Sequence, residues 1–254
     1  MLTVCHLSIH AYQKTLLNDI NFQIEKGKVY GLIGHNGSGK STLIKALAGE
    51  IIPTSGKIIL NEHVIHRFSA KELAKNLAYL PQKLPDATDF SVNELVLLGR
   101  YPHQSWLQQP SDTDKRIASD CMQMTGVAQF AGQSVATLSG GEKARAWLAM
   151  CLAQQTDVLL LDEPLAPLDI VYQVEILKLI QRLAKKNNMA IVIIIHDINL
   201  ASQFCDEIVA LKQGEICHIG DVASTMQADV LKAIFGIDLT IFEHPLTKQK
   251  VAVV

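Results

Sequence analysis

The stretch Gly34-His35-Asn36-Gly37-Ser38-Gly39-Lys40-Ser41 fits the pattern G-x-x-x-x-G-K-[ST] at every fixed position. A loop of this kind binds an anion only between a strand and a helix, so it dictates its own surroundings. The apolar run Val29 to Ile33 predicts a buried strand before it. After it, Leu43, Ile44, Leu47 and Ala48 recur at helical spacing, Gly49 ends the helix, and Pro53 lies beyond. Glycines let the backbone curl until several N–H groups point inward, and the helix N-terminus adds partial positive charge. In that frame Lys40 can reach the β- and γ-phosphates of a nucleotide, and the Ser41 hydroxyl can ligate Mg²⁺. The bland alternative is a glycine turn that happens to precede Lys-Ser.

Further along, Val158-Leu159-Leu160-Leu161 reads as a fully buried strand that ends in Asp162-Glu163-Pro164. Two adjacent carboxylates at a strand tip are costly to bury unless something offsets them. With a phosphate loop in the same sheet, Asp162 is the natural Mg²⁺-side ligand. Glu163 is then the natural group to polarise a water against the γ-phosphate. Ala190 to Ile195 is a second buried strand, and His196-Asp197 stands at its C-terminal tip. Ligands of doubly wound sheets bind at that end of the strands, which places His196 with Lys40 and Glu163. Leu138-Ser139-Gly140-Gly141-Glu142 opens the helical run Lys143 to Leu152. Ser139 with Glu142 is a capping box, and the same loop is a second anion site at a helix N-terminus; both readings can hold together.

Residues 2 to 24 alternate apolar and polar in two stretches joined by the turn His10 to Thr15. Tyr12 sits in that turn, open between stacking on a base and serving as an ordinary turn residue. Lys57 to Leu60 reads as a strand, and Ala78 to Leu80 as another, which yields at Pro81-Gln82 to a connector. Residues 86 to about 137 turn helical over Ser91 to Leu98 and Asp112 to Thr125. Ile170 to Ala184 is a helix, Ile208 to Leu211 and Glu215 to Ile219 form a hairpin around Gln213-Gly214, and Ala228 to Phe235 is a short helix before an irregular tail.

Composition bounds the partners. Net charge is −2, which gives no electrostatic support for nucleic-acid binding. No apolar run approaches a membrane span, and the N-terminus shows no secretion signal, so a cytosolic location is expected. Five scattered cysteines form no C-x-x-C pair and read as reduced thiols. His63 and His66 read as surface histidines, with a metal site as the alternative.

The phosphate loop, Gln82, LSGGE, VLLLDEP, Leu168-Asp169 and His196, in that order, resemble the nucleotide-binding subunit of ATP-binding-cassette transporters over almost the whole chain. LSGGE is the most specific piece. The resemblance implies one ATPase domain over 1–254, with a P-loop NTPase core at 1–85 and 156–235. That core is an α/β fold, a mixed and mostly parallel sheet, with an antiparallel β subdomain. A helical subdomain with the signature would occupy 86–155 and a tail 236–254. It implies that Tyr12 stacks on adenine and that Gly34 to Thr42 hold the phosphates. Gln82 would touch Mg²⁺ and the attacking water, and Asp162 would hold Mg²⁺ through water. Glu163 would be the catalytic base and His196 the γ-phosphate sensor. Ser139, Gly140, Gly141 and Glu142 would bind the ATP of the opposite subunit in a head-to-tail homodimer. The implied partners are an integral membrane permease and, indirectly, a periplasmic or extracellular substrate-binding protein, with the ATPase peripheral on the cytoplasmic face. Two departures stand out: Ala166-Pro167 where Ser or Thr usually comes first, and Glu142 in place of the commoner Gln.

A narrower similarity lies in Gly99-Arg100-Tyr101-Pro102-His103, Arg145-Ala146-Trp147, Leu168-Asp169-Ile170, His196 to Leu200 and His244-Pro245. These resemble the importer group for iron siderophores, haem and cobalamin. They imply uptake of an iron chelate, a ferric hydroxamate first, with haem or cobalamin as alternatives. A non-transport cassette ATPase is disfavoured: the DNA-repair type needs a long coiled coil between phosphate loop and signature, and the ribosome type needs two cassettes.

Overall fold

The computed structural model describes residues 1–12, 14–87, 89–105 and 109–254. In chain order come β1 (Leu2–Ala11), β2 (Lys14–Ile24), β3 (Val29–Ile33), α1 (Lys40–Leu47), β4 (Ser55–Leu60), β5 (His63–Val64), α2 (Ala70–Asn76) and β6 (Leu77–Leu80). Next are α3 (Val92–Leu98), α4 (Asp112–Met124), α5 (Gly140–Ala153), β7 (Val158–Leu161), α6 (Ile170–Asn187), β8 (Ala190–Ile194) and α7 (Ile198–Phe204). Last are β9 (Glu207–Lys212), β10 (Glu215–Asp221), α8 (Val222–Thr225), α9 (Ala228–Phe235), β11 (Thr240–Glu243) and β12 (Lys250–Val253).

The central sheet runs β10-β9-β3-β8-β7-β6, parallel except for β10 at one edge. Its middle strands are apolar at every position because both faces are covered. Their alternate residues split between two cores. Val29, Ile33, Leu159, Leu161, Ile191 and Ile193 join one cluster with α3 to α7. Tyr30, Leu32, Val158, Leu160, Val192 and Ile194 join the other. That second core is closed by Leu43, Ile44 and Leu47 of α1 and by the antiparallel sheet β2-β1-β4-β5. Truncating a strand residue such as the fully buried Leu160 to Ala would cost about 2–5 kcal/mol.

In the helical layer, α5 buries Ala144, Ala146, Ala149 and Ala153 along with larger residues, and α3 and α4 pack closely on it. Gly99 lies so near that a Cβ there would stand 2.2 Å from the Met150 carbonyl oxygen. The next residue, Arg100, turns inward: Nε donates to Asp114 Oδ1 at 2.9 Å, and a terminal amine donates to the Ala153 carbonyl at 2.7 Å and Gln155 Oε1 at 3.0 Å. His103 Nε2 pairs with the Gln154 carbonyl at 2.7 Å. The Gly-Arg-Tyr-Pro-His run is therefore a clamp on the last carbonyls of α5, which no helical amide can satisfy. The Arg100 guanidinium holds the Asp114 carboxyl down at about 2.

Two parts of the chain differ from the sequence expectation. The tail is not irregular: β11 and β12 form an antiparallel hairpin with Ala252 buried. Its four-residue strands carry charges and flank His244-Pro245, so periodicity is weak and tertiary contacts fix the pairing. Residues 70–76, for which the sequence predicts no element, form α2 behind a Ser69–Glu72 capping box. The five cysteines are free, and burial pushes the Cys121 and Cys151 thiols up to about 12. His63 Nδ1 pairs with the Asn61 carbonyl at 2.8 Å, and His66 is exposed.

Candidate active site

The loop between β3 and α1 is shaped by glycine. Gly34 has φ +138°, and a Cβ would meet the Leu211 carbonyl at 2.2 Å. Gly39, the N-cap of α1, has φ +107° and brings no capping side chain. The first amides of α1 are thereby left for a ligand. Lys40 is buried, and its Nζ donates to the carbonyls of Gly34 at 2.7 Å and His35 at 2.9 Å. Burial lowers its pKa, against the opposing pull of Glu163 and Asp162. The β9–β10 turn braces the loop: Gly214 N donates to Ser38 O at 3.0 Å and Asn18 N to Gly214 O at 2.8 Å.

At the end of β7, Asp162 is 1% exposed. Tyr79 OH approaches its Oδ2 at 3.4 Å, while Oδ1 has no partner. Burial raises its pKa, and the neighbouring Glu163 raises it further. An unmatched buried carboxylate oxygen fits a cation ligand. One carboxylate, the Ser41 hydroxyl and the Gln82 amide form the sparse oxygen set that suits Mg²⁺ beside phosphates.

Glu163 has φ +52°, an uncommon conformation for a side-chain-bearing residue. It holds two partners: Gln82 Nε2 donates to Oε2 at 2.7 Å, and His196 Nε2 lies 2.8 Å from Oε1. These residues follow β6, β7 and β8, so three adjacent strand ends converge on one carboxylate. They line a cleft of about 830 Å³ together with Asn36, Gly37, Gly39, Lys40, Ser41 and Thr42.

The structure does not bring every expected residue there. Tyr12, fully exposed in the β1–β2 turn, is absent from the cleft wall; Lys14, Thr15 and Leu16 line it instead, with Gln213 and Gly214 beside them. Gly34, Ser38 and Asp162 are buried behind the lining, while His35 is exposed beside it with its ring edge-on to Phe235. Ser139 to Glu142 stand apart at the N-terminus of α5. There Ser139 N donates to Glu142 Oε2 at 2.8 Å and Glu142 N to Ser139 Oγ at 3.3 Å. Those bonds to Ser139 lower the Glu142 pKa. Gly140 and Gly141 lie against Pro167 and Leu168, where an added Cβ on Gly141 would come 3.2 Å from Leu168 Cδ2.

A family model described as "ABC transporter" matches residues 17–166. Over 245 residues the chain is 41% identical to the iron(3+)-hydroxamate import ATP-binding protein FhuC of Bacillus subtilis (strain 168), covering 96% of this chain and 91% of that one. Among solved structures, a metal-chelate type ABC transporter in an inward-facing conformation aligns with a TM-score of 0.84 and 25% identity, over 100% of this chain and 97% of that one. The dimeric bacterial cassette MJ0796 aligns with a TM-score of 0.80 at 24% identity, over 87% and 99%.

Proposed function

The chain belongs to the ABC transporter family as an ATP-binding subunit of an importer, and from that premise we propose that its cleft hydrolyses ATP to drive uptake of a ferric hydroxamate siderophore. Haem or cobalamin is the alternative cargo. The 41% identity to a hydroxamate importer subunit supports the narrower reading.

The observation that carries the chemistry is the Glu163 carboxylate held between Gln82 and His196 at the mouth of the phosphate loop. In this reading the loop amides and Lys40 hold the β- and γ-phosphates. Ser41, Gln82 and Asp162 would hold Mg²⁺, whose charge would offset that developing on the phosphate oxygens. Glu163 accepts a proton from the attacking water. His196 fixes the orientation of that carboxylate and reaches the γ-phosphate. Lys40 stands with its amine over the loop and needs only to swing from carbonyl to phosphate. Tyr12 reaches adenine from the exposed turn.

Ser139, Gly140, Gly141 and Glu142 lie outside the cleft of their own chain, which supports the reading that they serve a second copy. Two copies head to tail would then bury two ATP molecules, and hydrolysis would release them. A permease couples to that cycle. Its docking place in this reading is a groove of about 260 Å³ lined by Phe90, Leu97, Leu98, Tyr101 and Pro110. Thr88 lies outside the described residues, and Gly99, Arg100 and Pro102 are buried in the α5 clamp, so these three offer no surface to a permease.

Glu163→Gln tests the mechanism. It should keep ATP affinity, lower hydrolysis about 10²–10⁴-fold, and accumulate an ATP-bound dimer by light scattering. Hydrolysis at the native rate would end this assignment. For the cargo, cells lacking the gene should lose ferric hydroxamate uptake; loss of haem or cobalamin uptake alone would transfer the assignment.

A further inference from the structure

The C-terminal hairpin is hydrogen-bonded to α7, the helix that follows His196, through the side chain of Asn199. Asn199, in the first turn of α7, faces the outer edge of β12. Its Nδ2 donates to the Ala252 carbonyl at 3.0 Å, and Ala252 N donates to its Oδ1 at 2.8 Å. The side-chain amide thus stands in for a neighbouring strand, meeting both main-chain groups of one residue. The join is sheltered, because Ala252 is 6% exposed.

On its other side Asn199 is tied to the site. Asp197 caps α7 by accepting from Asn199 N at 2.7 Å and Leu200 N at 3.2 Å. The residue before it, His196, is the one that meets Glu163. The helix α7 spans only 198–204, and a helix so short draws its order from tertiary contacts. The hairpin is itself anchored elsewhere, since Lys250 Nζ donates to the Met226 carbonyl at 3.1 Å. One continuous set of bonds therefore runs from the tail through Asn199 and Asp197 to His196.

We propose that Asn199 is a positioning residue, and that the C-terminal hairpin acts through it to hold His196 against Glu163. This rests on the hydrolytic reading of those two groups. The hairpin contributes no atom to the cleft wall, so it bears on turnover and leaves nucleotide binding alone. Ala252 turns its N–H toward Asn199 and away from β11, so Ala252→Pro removes one of the two bonds to Asn199 without removing one from the hairpin ladder.

The test is a double-mutant cycle on the full chain: Asn199→Ala, Ala252→Pro and both together, read by steady-state ATP hydrolysis, nucleotide affinity and thermal melting. Asn199→Ala should lower kcat about tenfold and Ala252→Pro by less, each with KM and ATP affinity within twofold, and the pair should be no worse than Asn199→Ala alone. Asn199→Asp keeps the acceptor, loses the donor, and should fall between native and Asn199→Ala; it serves if Ala252→Pro melts early. Native kcat in Asn199→Ala and Asn199→Asp would overturn the proposal, as would effects that multiply in the pair. Glu163→Gln run alongside separates the two ideas. If it hydrolyses ATP normally, the site reading fails; if it is dead while the Asn199 variants are native, the positioning role alone fails.

Discussion

The chain carries two glycine loops at helix N-termini, and they are finished in opposite ways. The loop before α1 has glycine as N-cap and no capping side chain. It buries a lysine whose amine rests on its own loop carbonyls. The loop before α5 closes on itself through the Ser139–Glu142 box and stays exposed. Open amides at a helix N-terminus are a standing attraction for an anion, so the first loop is ready within one chain. The second has its third amide and its negative charge already supplied. Only the amides of Gly140 and Gly141 lie outside the box. An anion arriving there must be presented by something else, and gains less from helix dipole alone. The contrast suits one loop that binds nucleotide and one that responds to nucleotide already held by another copy.

The largest effects should separate the two loops by assay. Lys40→Ala should weaken ATP binding to the isolated subunit and reduce hydrolysis by at least about 10². Ser139→Arg should leave ATP affinity of the subunit within twofold and abolish ATP-driven dimers. Fluorescent-nucleotide titration and light scattering read these separately. A Ser139→Arg chain that binds ATP poorly as a monomer would break the comparison.

The next effect concerns how firmly the second loop is carried. The far end of α5 is clamped by Arg100, whose partner Asp114 is also buried. Arg100→Ala strands that carboxylate and should cost about 3–5 kcal/mol in urea unfolding. Asp114 has its pKa lowered to about 2 from 3.8. Its contribution is thus full above pH 3.8 and lost as pH falls through 2. The acid side of the stability profile should lose that segment in Asp114→Asn.

A smaller effect sharpens the first loop. Asp162 has the opposite shift: burial raises its pKa. A raised carboxyl pKa means the folded state binds the proton more tightly. Stability then falls as pH rises from 3.8 through the raised folded value. Asp162→Asn should therefore raise the melting temperature of the nucleotide-free chain by about 2–4 °C, the shift expected for about 1 kcal/mol. It should also remove the Mg²⁺-dependent part of ATP binding. A lower melting temperature at pH 7 would contradict the burial argument.

Legibility in the sequence followed range. The phosphate loop, the Asp162-Glu163 pair and His196 were readable because each is a local pattern at a strand end, and a parallel sheet brings strand ends together. Lys14 to Leu16 were not, because their place in the cleft depends on how the antiparallel sheet folds over α1. Gln213-Gly214 was readable as a hairpin turn, yet nothing local says that it braces Ser38. The Ser69–Glu72 box was a usable signal for α2 that periodicity over seven residues did not reinforce. The tail hairpin had no such signal: its strands are short and charged, and its dock on Asn199 comes from fifty residues away.

The smallest effect is the most specific test of the contrast between loops. Ser139→Ala removes the N-cap of α5 and should cost about 1 kcal/mol in thermal or urea melts. Gly39→Ser, at the other N-cap, adds a capping hydroxyl but must place a Cβ at φ +107°, 2.7 Å from Leu17 Cδ2. The added cap therefore should not stabilise; the strain outweighs it. So the second loop should lose stability when its cap is deleted, and the first should lose stability when one is supplied. If Gly39→Ser melts higher than the native chain, the open N-terminus of α1 is not held open by steric necessity, and the two loops differ in sequence alone.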